Sequence, residues 1–138
     1  MKIYDCFTYF DEDLILDIRL NTLNQYVHKF IITEAIYTHK GVKRDLKFNI
    51  NNFKNFKNKI EYIVVSETPK NIENIIDKDN NHQKNSKILI NALKRENYQR
   101  NMLSKGILKA NENDLIIISD VDEIPNLEKI NNLKKLNF

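Results

Sequence analysis

Three acidic side chains follow a short apolar segment near the end of the sequence. Leu115–Ile118 is continuously apolar, and Asp120, Asp122 and Glu123 come shortly after it. Like charges this close together repel each other unless a cation neutralises them. Mg²⁺ and Mn²⁺ typically take one or two carboxylates together with phosphate oxygens. The pattern therefore predicts a metal site at Asp120 and Asp122 that also receives a phosphate-containing ligand.

The elements around this loop predict an α/β fold. Apolar patterns indicate strands over 2–10, 26–35, 60–67 and 114–119, helices over 11–23 and 86–110, and a polar loop over 70–85. Alternating strands and helices predict a parallel sheet covered on both faces. Ligands of such sheets bind beyond the carboxyl ends of the strands, where the acidic loop would lie. Side-chain alternation puts Asp120 and Asp122 on one side and Val121 on the other.

The predicted helices each carry an apolar stripe. The stripe of the first helix consists of Leu14, Ile15, Ile18 and Leu23. One face of the second helix carries Leu89, Leu93, Glu96, Arg100, Leu103 and Ile107. If this face meets the sheet, the charges of Glu96 and Arg100 must be satisfied there, which makes Arg100 a candidate ligand contact. The alternative is an ordinary i,i+4 ion pair contributing about 0.2–0.5 kcal/mol.

Composition narrows the class of protein. The chain has 138 residues, 41% hydrophobic and 30% charged, which predicts one folded domain over 1–138 and excludes wholesale disorder. Its single cysteine, Cys6, excludes an internal disulfide and a multi-cysteine zinc site, and we expect it to be packed and inert. No apolar run approaches the ~18 residues of a membrane span. A cytoplasmic setting without a transmembrane segment is expected.

Charge is distributed unevenly along the chain. The net charge is +3, and residues 35–60 are rich in lysine and arginine. Such a stretch can bind nucleic acid or an anionic surface, but it is more often a solvated face, and we expect no nucleic-acid partner. The three histidines, His28, His39 and His82, are scattered and do not form a metal set.

Two classes of enzyme place Asp-x-Asp at the end of a strand. Phosphatases of the haloacid dehalogenase type require Thr or Val two residues further on, where this chain has Ile124, and a whole domain after the motif. Glycosyltransferases use the motif to bind the metal that bridges a donor diphosphate, after earlier strands have built the nucleotide pocket. The order of elements here favours the second class.

Five segments resemble glycosyltransferase family seventeen, the β-1,4-mannosyl-glycoprotein N-acetylglucosaminyltransferase family. They are Glu12 with LDIRLNTL (16–23, with Asp17 and Arg19), FIITEA (30–35), KRDLKF (43–48), ENYQRN (96–101, around Arg100) and DLIIISDVDEIP (114–125). Together they extend over essentially the whole chain, and the last is the most specific.

The resemblance implies a GT-A-type, Rossmann-like sheet and a donor site. The implied reaction transfers N-acetylglucosamine from a UDP-sugar to a hydroxyl of a glycan acceptor, with inversion and with Mn²⁺ or Mg²⁺ as cofactor. The implied site residues are Asp122 as principal metal ligand, Asp120 on the ribose or a metal-bound water, Val121 against the nucleotide, Thr8 and Glu34 at the base or ribose, and Arg100 at the diphosphate.

Some features depart from the family pattern. Members are longer, with the acceptor-binding half and the catalytic base downstream, so we expect a fragment or a shortened relative that binds donor and transfers sugar poorly. The alternative is a non-catalytic module that binds nucleotides or anions. Glu123 is expected to cap the turn before Pro125 rather than act as a base.

Overall fold

A sheet of four parallel strands forms the centre of the structure, a computed structural model that describes residues 1–133. The strands are β1 (Ile3–Thr8), β2 (Lys29–Ala35), β3 (Ile60–Val65) and β4 (Leu115–Ile118). The helices are α1 (Asp13–Leu23), α2 (Asn81–Asn101) and the short α3 (Ile130–Leu133), with 3₁₀ segments at Ile50–Phe56, Met102–Ile107 and Leu127–Lys129. The predicted α/β class with a parallel sheet is confirmed, and the arrangement is consistent with a Rossmann-like, GT-A-type domain.

The strand order is β3-β2-β1-β4, so β1 lies in the interior of the sheet. All pairings are parallel; Thr8 lies opposite Thr33, and Cys6 lies opposite Ile118. The chain builds outward from β1 through β2 to β3 and then returns to add β4 on the other side. The order therefore reverses between β1 and β4, and in open α/β sheets ligands bind at that point.

The two faces of the sheet bury separate apolar clusters. On one face, Phe7 of β1 and Phe30 of β2 pack with Leu16 and Leu20 of α1. On the other, Cys6 and Ile31 pack with Leu103 of the 3₁₀ segment after α2. That segment lies very close to β2, since a Cβ atom on Gly106 would be 2.3 Å from Ile31 Cγ2. Full burial of each large apolar side chain contributes about 1.5–3 kcal/mol, so these clusters hold both layers on the sheet.

The stripe predicted for α1 is only partly correct. Leu23 is buried, but Leu14 and Ile18 are exposed. The buried face instead consists of Leu16, Arg19, Leu20 and Leu23. A charged residue occupies a core position, which a search for apolar periodicity alone cannot find.

The long helix differs from its prediction in extent and orientation. It begins at Asn81, inside the segment predicted as loop, because Asn80 and Gln83 form a reciprocal capping box. It ends at Asn101, and 3₁₀ geometry replaces the predicted α-helix beyond that point. The prediction that its apolar stripe faces the sheet is wrong for Leu89 and Leu93, which are exposed.

The buried positions of α2 are amides. Asn91 accepts a hydrogen bond from Glu73 N (2.7 Å) and donates one to Glu73 O (2.9 Å), and Gln99 donates to Thr33 O (3.1 Å). These hydrogen bonds satisfy the buried side-chain amides, as buried polar groups in proteins generally are. Among the described residues, no helix has the length and apolar character needed to cross a membrane.

Candidate functional site

A cleft of about 910 Å³ opens at the carboxyl edge of the sheet. It lies where the strand order reverses, with Thr8 following β1 and the acidic loop following β4. Its lining comprises Thr8, Phe10, Glu12, Ile15, Ala35, Tyr37, Thr38, His39, Lys40, Val42, Arg44, Glu96, Gln99, Asp120, Val121 and Asp122. Four of the six residues predicted for the donor site are thus brought together here: Thr8, Asp120, Val121 and Asp122.

The acidic loop is a tight turn that exposes its two aspartates. Glu123 N donates to Asp120 O (3.0 Å), and Glu123 Oε2 accepts from Asp120 N (3.1 Å). The Glu123 carboxylate thus satisfies the backbone of this turn, in keeping with the capping role predicted for it. Val121 is buried in the core, whereas Asp120 and Asp122 are exposed. The turn therefore fixes the backbone while leaving both aspartates at the cleft.

A buried arginine beneath the loop holds this turn in place. Arg19 Nη1 donates to the carbonyl oxygens of Asp120 (2.7 Å), Val121 (3.1 Å) and Glu123 (3.1 Å), and Nη2 donates to Ser119 Oγ (2.7 Å). Because these acceptors span the whole turn, the position of one guanidinium determines the path of the loop. The sequence predicts the loop but not this support.

The charge of Arg19 is balanced by Asp5. Nε and Nη2 lie 2.8 and 2.7 Å from the two carboxylate oxygens of Asp5, and both side chains are completely buried. The guanidinium also lies over the Phe7 ring, 4.6 Å from its centroid. Burial and the Asp5 charge raise the pKa of the neighbouring Cys6 thiol to about 12, although Arg19 acts in the opposite direction. Cys6 is consequently a neutral packed thiol, as predicted.

Arg100 connects helix α2 to the acidic loop. Its Nη2 lies 2.9 Å from Asp120 Oδ1 and 3.3 Å from Glu96 Oε1. The i,i+4 ion pair considered for Arg100 is therefore present, and the side chain also reaches Asp120 at the rim of the cleft. The side chain is about two-fifths exposed and does not line the cleft itself.

Glu34, the sixth predicted donor-site residue, lies outside the cleft lining. It is completely buried, and its carboxylate accepts hydrogen bonds from Lys47 N (2.7 Å), Phe48 N (3.1 Å) and Tyr62 Oη (2.7 Å). Arg44 Nη1 completes the set at 2.9 Å. In this structure the carboxylate anchors the segment that follows the cleft wall.

The turn between Tyr37 and Lys43 forms a wall of the cleft. Tyr37 and Lys43 pair as an antiparallel bridge, and Gly41 at the turn has φ +85°, a conformation that favours glycine. Arg95 of α2 donates to His39 O (2.9 Å) and packs beneath Gly41, where a Cβ atom would be 2.6 Å from Nη2. The wall is therefore attached to the same helix that carries Arg100.

Arg44 joins this wall to the end of β1. Its guanidinium donates to Ala35 O (2.8 Å) and to Phe10 O, and it lies over the Phe10 ring at 4.3 Å from the centroid. Phe10 is half exposed and lines the cleft. The cleft consequently contains a flat aromatic surface whose orientation is set by an arginine, and neither residue is among those predicted for the donor site.

The potential metal ligands at the cleft suit a hard cation that also binds oxygen atoms from outside the protein. No cluster of three or more His, Cys, Asp or Glu side chains suited to a metal occurs within residues 1–133. Asp120 and Asp122 offer two carboxylates, and Mg²⁺ commonly uses one or two protein carboxylates plus substrate phosphates. The residues present therefore fit a cation that binds together with a phosphate-containing ligand.

Comparison with known proteins gives one match. The family model described as glycosyltransferase family 17 matches residues 1–137. No curated protein and no solved structure matches the sequence.

Proposed function

This chain belongs to glycosyltransferase family 17, and we propose that it transfers N-acetylglucosamine from a UDP-sugar to a glycan hydroxyl, with inversion and with a divalent cation. The observation that carries the proposal is the placement of Asp120 and Asp122 on one rim of the cleft, at the reversal of strand order. A nucleoside diphosphate bound at this carboxyl edge would bring its phosphates to these carboxylates.

The proposed donor pose follows from the chemistry of the lining. Asp122 and Asp120 would hold Mn²⁺ or Mg²⁺, and Arg100, which lies beside Asp120, would supply a guanidinium for the diphosphate. Phe10 offers an aromatic face for the uracil, and the Thr8 hydroxyl lies at the same end of β1. The backbone of Val121 lies against the nucleotide.

In the proposed reaction the acceptor hydroxyl oxygen attacks the anomeric carbon from the side opposite UDP. The bond from that carbon to the phosphate oxygen breaks, its electron pair leaves with UDP, and the hydroxyl proton passes to a base. A cation held by Asp120 and Asp122 would supply positive charge to stabilise the negative charge that develops on the departing diphosphate. Arg100 acts on the same charge, and the turn held by Arg19 keeps both carboxylates oriented before the donor arrives.

The first test is metal-dependent binding of UDP. A ligand that binds only the folded state adds about 2.7 kcal/mol of stability at ~100 times its dissociation constant. We expect UDP to raise the melting temperature with Mn²⁺ and to lose most of this effect in EDTA. Equal shifts in both conditions would refute the metal role.

Asp122→Asn is the matched variant for this test. The Asp122 carboxylate is exposed, so its loss should change apo stability by no more than about 0.5 kcal/mol. The same change should abolish the Mn²⁺-dependent part of UDP binding, because a hard cation requires the charge. Asp77→Asn, at an exposed position outside the cleft lining, is the control.

Donor and product are tested separately. UDP-N-acetylglucosamine should compete with UDP better than UDP-glucose or UDP-galactose, and NMR of a transferred product should show inverted anomeric configuration. Transfer of the sugar to a glycan acceptor would contradict the non-catalytic module.

A further inference from the structure

Arg100 is held between two carboxylates at the rim of the cleft. Its Nη2 contacts Asp120 Oδ1 at 2.9 Å and Glu96 Oε1 at 3.3 Å. All three side chains are more than a third exposed, so these contacts are open to exchange with solutes. Among the described residues, each hydrogen bond of this guanidinium uses Nη2, which leaves its other edge for a second ligand.

A divalent cation and Arg100 compete for Asp120. The carboxylate already has a positive partner in the ligand-free protein, so a cation that binds Asp120 must displace Arg100 or share the oxygen with it. Two positive groups on one carboxylate repel each other, which weakens binding of the cation alone. Addition of a diphosphate supplies negative charge for both groups, and an arginine fork matches phosphate oxygens well.

We propose that Arg100 is an exchangeable counter-ion that pairs with Asp120 in the ligand-free protein and with the donor diphosphate in the complex. The exchange makes cation and nucleotide bind cooperatively, so the site resists loading with metal alone. This inference rests on the proposed function, because it requires a nucleoside diphosphate and a cation in the same cleft.

The experiment measures binding rather than turnover. Mn²⁺ is titrated into wild type and Arg100→Gln without nucleotide, and UDP is titrated into each at saturating Mn²⁺. We expect Arg100→Gln to bind Mn²⁺ alone about fivefold or more tightly than wild type, because the competing charge is gone. The same variant should bind UDP about tenfold more weakly at saturating Mn²⁺. The factor by which each ligand raises the affinity for the other should therefore approach one.

Two further variants separate the parts of the proposal. Arg100→Lys keeps the positive charge but lacks the planar guanidinium that can donate two parallel hydrogen bonds to phosphate. Its affinity for Mn²⁺ alone should stay near that of wild type, while its affinity for UDP should fall. Lys94→Gln removes a cation from the same helix, where it pairs with Glu73 outside the cleft lining, and should change neither affinity. Apo melting curves check folding, and we expect little change because the Arg100 pairs are exposed.

The outcomes are distinguishable. If Arg100→Gln binds Mn²⁺ no more tightly than wild type, the proposed exchange is overturned. It is also overturned if Arg100→Gln binds both Mn²⁺ and UDP more tightly, because Arg100 would then only block the site. In both cases wild type would still show Mn²⁺-dependent UDP binding, and the proposed function would stand. Absence of that dependence in wild type overturns the proposed function and this inference with it.

Discussion

Asp5 and Arg19 form an ion pair with no solvent exposure on either side chain, with Nε–Oδ2 and Nη2–Oδ1 distances of 2.8 and 2.7 Å. The pair connects an interior strand to the helix that follows it, and the remaining Arg19 hydrogen bonds reach the acidic loop. Desolvation of two charges is costly unless their hydrogen-bonding groups are satisfied. Here every guanidinium nitrogen has an acceptor, so the pair is an internal support for the candidate metal site.

Asp5→Asn should destabilise the protein by about 3–5 kcal/mol, because it leaves the Arg19 charge buried without a counter-charge. Urea unfolding followed by circular dichroism measures the free energy of unfolding. The exposed control Asp77→Asn should change this free energy by no more than about 0.5 kcal/mol. A loss below about 1 kcal/mol at Asp5 would contradict the role assigned to the pair.

The double variant Asp5→Leu/Arg19→Met should separate the effect of the ion pair on protein stability from its effect on the position of the acidic loop. It removes both charges, so much of the stability lost in Asp5→Asn should return. The carbonyl oxygens of Asp120, Val121 and Glu123 lose their common donor, so Mn²⁺-dependent UDP binding should remain impaired. Recovery of both properties together would show that the loop keeps its shape without Arg19.

Tyr62→Phe should cost about 1.5 kcal/mol, because it removes a 2.7 Å hydrogen bond to the buried Glu34 carboxylate. Burial and this hydrogen bond raise the pKa of the Tyr62 phenol above its usual 10.0. The stabilisation is therefore fully present below pH 10 and is lost as pH rises through the raised value. Urea midpoints of wild type and variant should converge in that alkaline range.

Asp114→Asn should weaken the junction between the first and last strands at neutral pH. The carboxylate accepts from Asn111 N (2.9 Å) and Lys2 N (2.7 Å), and these hydrogen bonds lower the pKa of Asp114 below its usual 3.8. Its stabilisation is present above pH 3.8 and is lost as pH falls through the lowered value. Urea midpoints of wild type and variant should differ at pH 7 and converge at low pH. Glu112→Gln, at an exposed neighbouring position, should leave the urea midpoint at pH 7 unchanged.

Cys6 should react with iodoacetamide only when the protein unfolds. Burial raises the pKa of its thiol to about 12, so the reactive thiolate is scarce at pH 8.5 and the sulfur is inaccessible. Mass spectrometry should find little alkylation of native protein and rapid alkylation in urea. Equal rates in both conditions would contradict the buried position.

The strands and the acidic loop were predictable because their signals are local. Apolar runs located β1 to β4, and spacing placed Asp120 and Asp122 at a strand end. The support beneath the loop was not found, because Arg19 lies 100 residues before Ser119 in sequence and apolar periodicity does not assign a charged side chain to the core. The sequence nevertheless contains a sign that both residues are buried. Alternation of side chains along β1 puts Asp5 on the same face as the buried Phe7, and helical spacing puts Arg19 on the same face of α1 as Leu16 and Leu20.

The orientation of α2 was mispredicted for a related reason. Periodicity assumes that the apolar face of a helix is the buried one. In α2 the buried positions are Asn91 and Gln99, whose amides hydrogen-bond backbone groups of Glu73 and Thr33, and Leu89 is exposed. These partners exist only once the loop and the strand are in place, so they cannot be read from the helix alone.

The interior position of β1 has a consequence for the order of folding. The pairing of β1 with β4 brings Lys2 and Asp114 together across 112 residues of sequence. Closing so long a loop has a large entropic cost. Such long-range parallel pairing is slow, and until it forms β1 presents an open edge that invites association with other chains. The same pairing brings in the loop with both aspartates. Donor-binding competence should therefore appear last in refolding, at the step that closes the aggregation-prone edge.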